Sequence, residues 1–171
     1  LLQVLPSPSL LKELLESKGI TGIKQCGKYE IHWYSVDYNP FIENEHDIDV
    51  IVDCTPPNAT KEFGEPVIED DLYGETIHWI TSSTPIWING TDDKIWDSGI
   101  WKVCIKYKRV DEVAFTQQCI NGSSGVFYIN GSDGKYRIFH WAIDNVGHAS
   151  DYNSTKQHVI LDNTPPSSRV A

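Results

Sequence analysis

Apolar and polar residues alternate with a period of two through most of this chain, the signature of strands with one buried face. Ile48, Val50 and Val52 alternate with Asp47 and Asp49. The same reading predicts strands at Tyr29–Val36, Thr76–Ile80, Pro85–Asn89, Ile100–Arg109, Val113–Cys119, Val126–Ile129, Tyr136–Ile143 and His158–Leu161. Asp37-Tyr38-Asn39-Pro40 reads as a turn, and Gly, Asn, Asp and Ser clusters separate most of the other runs. Seven of these strands fall within about 110 residues, a spacing that predicts an antiparallel β-sandwich. One stretch has the helical period instead. Over residues 7–18, Ser7 can cap, Pro8 suits a first turn, and Leu10, Leu11, Leu14 and Leu15 form one stripe before Gly19. That pattern predicts a short helix packed over a sheet.

The strand pattern repeats. Gly27-Lys28-Tyr29-Glu30-Ile31 returns as Gly134-Lys135-Tyr136-Arg137-Ile138, and Asp53-Cys54-Thr55-Pro56-Pro57 returns as Asp162-Asn163-Thr164-Pro165-Pro166. The offset is 107 residues at the glycines and 109 at the aspartates, the length of a small domain and too long for a solenoid unit. Proline cannot donate to a ladder, so each Thr-Pro-Pro ends a strand and makes a stiff joint. This frame divides the chain in three. Residues 1–53 correspond to the second half of a unit, residues 54–163 form a whole unit, and residues 164–171 lead onward.

Ile80-Thr81-Ser82-Ser83-Thr84-Pro85, the acidic loop from Asn89 to Asp93, Ile143-Asp144-Asn145-Val146-Gly147 and the closing Asp-Asn-Thr-Pro-Pro resemble the tandem immunoglobulin-like repeats of large archaeal and bacterial cell-surface proteins. The resemblance covers residues 53–166 and extends loosely over 27–53. It implies an all-β, immunoglobulin-like antiparallel sandwich in an extracellular structural module, preceded by a partial second unit. Such a fold hosts many functions, so the molecular role rests on the residues themselves.

Composition narrows the setting. The chain has 171 residues, 40% hydrophobic and 22% charged, with a net charge of −10. That charge disfavours nucleic acid and anionic lipid as partners. No apolar run approaches the length of a membrane span. There is no methionine, which marks a processed chain or a piece of a longer one. Asn-x-Ser/Thr occurs five times, at Asn58, Asn89, Asn121, Asn130 and Asn153, mostly at predicted turns; together these point to a surface glycoprotein carrying N-linked glycans. Four cysteines allow three pairings. A hairpin turning at Asp111-Glu112 would set Cys104 directly opposite Cys119, at bridging distance. Cys26 and Cys54 bracket the first strand pair and could close a second bridge. Two structural disulfides imply an oxidising compartment.

Catalytic constellations are sparse. The six histidines are scattered, without His-Glu-x-x-His or zinc spacing. Gly122-Ser123-Ser124-Gly125 is not a nucleophile elbow. A non-enzymatic module without a resident cofactor is the expectation. Asp92, Asp93, Asp97 and Asp144 could hold calcium with hard oxygen ligands from two loops, although solvated loop acids are the simpler reading. The leading expectation is a surface-layer, filament or adhesin module whose partners are neighbouring repeats or identical subunits. A ligand- or carbohydrate-binding accessory module of a secreted protein is the alternative; it requires several of the six tryptophans, of which Trp87, Trp96 and Trp101 cluster in sequence, to be exposed on one face.

Overall fold

A computed structural model describes residues 25–36, 42–72 and 74–167. The chain divides into two compact units, Leu1–Thr55 with Lys94–Ser98, and Pro56–Asp93 with Gly99–Ala171. The helix predicted at 7–18 and the turn at 37–40 lie outside the described residues.

The second unit is all β. Its strands are β3 (Asn58–Phe63), β4 (Val67–Leu72), β5 (Glu75–Ile80), β6 (Ile86–Thr91), β7 (Ile100–Arg109), β8 (Thr116–Asn121), β9 (Ser124–Phe127), β10 (Gly134–Asp144) and β11 (Gln157–Leu161), after β1 (Gly27–Trp33) and β2 (His46–Val52) of the first unit. They form a six-stranded sheet in the order β4-β5-β11-β10-β7-β8 and a three-stranded sheet in the order β3-β6-β9. Both sheets contribute to one core: Ile86, Ile88 and Phe127 from the smaller sheet meet Val103, Ile105, Ile138, Ala142, Val159 and Leu161 from the larger. Truncating one such side chain, for instance Ile138→Ala, costs about 2–5 kcal/mol.

The alternation explains the layers. In β6, Ile86 and Ile88 point inward and Trp87 and Asn89 outward. Strand β10 has no exposed residue, because its outer face is covered too. There Phe139 and Trp141 lie under Tyr152 of the 3-10 helix Tyr152–Thr155, with Phe115 edge-on to Phe139. Two strands escape the sequence pattern, β3 and β4. In β3 the inward positions are Ala59, Lys61 and Phe63, so its alternation is chemically faint. One pairing also departs from the antiparallel expectation, since β5 runs parallel to β11 with Val159 opposite His78.

In the first unit β1 and β2 form an antiparallel ribbon. Tyr29, Ile31 and Trp33 with Ile48, Val50 and Val52 take its less exposed face. Its register copies that of β10 and β11. Gly27 faces Val52 and Tyr29 faces Val50, just as Gly134 faces Leu161 and Tyr136 faces Val159. Gly27 and Gly134 both have positive φ, 156° and 148°, which side-chain-bearing residues rarely adopt. The sequence repeat is therefore a repeat of strand geometry.

Candidate functional site

The two joints close differently. In the second copy Asp133, just before Gly134, reaches across to the joint. It accepts from the Asn163 amide at 2.8 Å and from the Thr164 hydroxyl. These bonds, the Thr164 hydroxyl first, hold its pKa below the usual value. Asn163 in turn accepts from the Ser82 amide at 2.8 Å. In the first copy Cys26 stands where the second has Asp133, and Cys54 where it has Asn163. The turn itself is kept: Thr55 donates its amide to Asp53 at 2.9 Å, as Thr164 does to Asp162 at 3.1 Å.

The cysteines follow the registers. Cys104 pairs with Cys119 across β7 and β8, and a disulfide joins them with an S–S distance of 2.03 Å. The expected Cys26–Cys54 bridge is not formed: both are exposed free thiols. The reason lies in the ladder. Continuing the β1–β2 register sets Cys26 opposite Asp53, so the two sulfurs meet diagonally. The neighbouring Cys26 thiol, followed by burial, pushes the Cys54 thiol up to about 11.

All five sequon asparagines are exposed. Their placement corrects the turn reading. Asn58, Asn89 and Asn121 lie in strands, Asn130 in the turn after β9, and Asn153 in the 3-10 helix. Asn58 faces Thr91, and Thr60 faces Asn89, so two sequons lie side by side on the outer face of the three-stranded sheet. Trp87 sits on that face beside a shallow groove with Glu62 and Val126. Trp101 belongs to the other sheet, with the Lys102 ammonium 3.8 Å from its ring centre. Trp87, Trp96 and Trp101 are all partly exposed, at 38%, 37% and 48%, with Trp96 in the first unit.

The calcium candidates do local work. Asp92 accepts from the Gly99 amide at 2.9 Å, and Asp97 from the Lys94 amide at 2.6 Å. Asp144 is fully buried. One oxygen accepts from the amides of Val146, Gly147 and His148, and the other lies 2.9 Å from His148 Nδ1. Asp93 is exposed. Each of the first three carboxylates accepts a backbone amide of its own loop.

A chain of polar groups that the hydrophobic pattern did not reveal crosses the sandwich. Lys61 points inward from β3, its ammonium 4.1 Å from the Phe63 ring centre. It donates to Gln157 Oε1 on β11. Gln157 Nε2 lies 2.9 Å from His78 Nδ1, and His78 Nε2 lies 3.0 Å from Glu69 Oε1. Phe63 packs on the His78 ring with centroids 4.6 Å apart. His140, buried on the inner face of β10, feels the Lys61 charge, and its Nδ1 finds no hydrogen-bond partner among the described residues. Burial lowers Lys61 to about 8. Burial, helped by Lys61, lowers His140 to about 4.

No protein-family model matches the chain, and no curated protein matches it. The functional reading therefore rests on the repeat and on these side-chain arrangements.

Proposed function

We propose that the chain is an extracellular structural module of a cell-surface protein, in a surface layer, filament or adhesin, built from immunoglobulin-like repeats. The shared register of β1–β2 and β10–β11, each ended by Asp-x-Thr-Pro-Pro, carries this reading. Repeated units joined by stiff prolines suit a role in spacing and bearing load. The exposed sequons supply glycan acceptors, and the paired cysteines suit an oxidising compartment. Strand complementation of the incomplete first unit, by an upstream repeat or an identical subunit, is the assembly step. The module needs no cofactor and turns over no substrate. Among the described residues no helix is long and apolar enough to cross a membrane.

Peptide mapping of native material from the cell-surface fraction tests this. Glycan on several of the five asparagines and an intact Cys104–Cys119 bridge are the expected results. Bare asparagines together with a reduced Cys104–Cys119 pair on native protein would sink the reading.

A further inference from the structure

Lysine is an expensive residue to turn toward a sandwich core, and here it lies on a carboxamide. The geometry points to a covalent use: we propose that Lys61 and Gln157 form an intramolecular isopeptide bond that ties β3 to β11, and so the smaller sheet to the larger. Three observations carry it. Lys61 Nζ hydrogen-bonds the Gln157 side-chain oxygen, the atom bonded to the amide carbon. His78 Nδ1 lies 2.9 Å from the other end of that amide, at the nitrogen that must leave. Glu69 lies 3.0 Å from His78 Nε2 and orients the ring, as a carboxylate orients the histidine of a nucleophile–base pair. Phe63 packs against both the lysine and His78.

The step balances without a co-reactant. The neutral Lys61 amine attacks Gln157 Cδ, and a new Nζ–Cδ bond forms as the Cδ–Nε2 bond breaks. One proton moves from Nζ to the departing NH2, beside which His78 Nδ1 lies, and that group leaves as ammonia. Burial favours the uncharged amine that the attack requires. Fixed neighbours on adjacent strands replace the bimolecular encounter, and this is how an unactivated amide becomes reactive. Each molecule reacts once, so the chain modifies itself and remains a structural protein. This linkage does not depend on the surface-module reading, because its test reads the isolated chain.

Intact-mass spectrometry of the folded 171-residue chain is the measurement. The expected wild-type mass is one ammonia below the sequence mass, and a protease digest should yield a branched peptide joining Lys61 to Gln157. Asn-Gly sites such as Asn89-Gly90 can also lose ammonia, so Lys61→Arg provides the control and should restore the full mass. His78→Gln should slow linkage formation at least tenfold in refolded protein. A wild-type chain at full sequence mass, or an ammonia loss that persists in Lys61→Arg with no branched peptide in wild type, overturns the proposal. The wild-type digest decides the matter even where a variant fails to fold.

Discussion

The carboxylate of Asp144 has no exposed surface and is held by three backbone amides of the turn that follows it. Asp144→Ala leaves those donors in a closed loop without an acceptor, and should cost about 3 kcal/mol in urea unfolding. A loss below about 0.5 kcal/mol would mean that water replaces the carboxylate easily. Titration belongs to the same scale. His140 is lowered to about 4 from 6.5, so the unfolded chain takes up its proton first as pH falls. Stability is full above 6.5 and is lost as pH drops toward 4, by a few kcal/mol. The change in unfolding midpoint between pH 7 and pH 5 should shrink in His140→Gln. Lys61, lowered to about 8 from 10.5, acts in the other range. An unlinked chain should gain stability as pH rises from 8 to 10.5, since the unfolded state then holds more protons. A linked chain has no Lys61 amine to titrate and should lack that gain. Little of this residue-scale chemistry was legible beforehand. Asp-Asn-x-Gly announces a turn, but not whether its carboxylate faces a loop amide or an ion.

At the scale of elements, legibility tracks the contrast between the two faces of a strand. The β7–β8 hairpin was readable because one turn position fixes every pair, and Cys104 does face Cys119. Strands β3 and β4 were not. Asn-Ala-Thr-Lys-Glu-Phe has a lysine inside and Val-Ile-Glu-Asp-Asp-Leu has acids in the middle, and only tertiary packing distinguishes such runs from loops. The same feature hid the polar chain, because a lysine scores as an outward residue wherever it points. The hairpin disulfide spans 15 residues, and a loop of that size predicts about 3 kcal/mol of stabilisation. Reduction of Cys104–Cys119 should lower the denaturation midpoint accordingly while leaving the folded far-ultraviolet spectrum unchanged. An unchanged midpoint would show that β7 and β8 are held by their ladder and core contacts alone. Cys26 and Cys54, both exposed, should be alkylated in the folded state by a small reagent, and the bridged pair should not.

At the scale of the molecule, the two copies of the repeat differ in what surrounds them. Strand β10 is flanked by β7 as well as β11, and β11 by β5 as well as β10. Among the described residues β1 and β2 pair only with each other, although their register is the same. The positions equivalent to β7 and β5 are thus the ones a complementing strand would take, antiparallel on β1 and parallel on β2. Open edges with an apolar face are templates for association. The chain by itself should therefore associate in a concentration-dependent way in light scattering, and charged or proline substitutions on β2, such as Ile51→Pro, should suppress that association while the sandwich stays folded. A chain that is monomeric at every concentration, with β1 and β2 fully protected in amide exchange, would remove strand complementation while leaving the glycan and disulfide tests untouched.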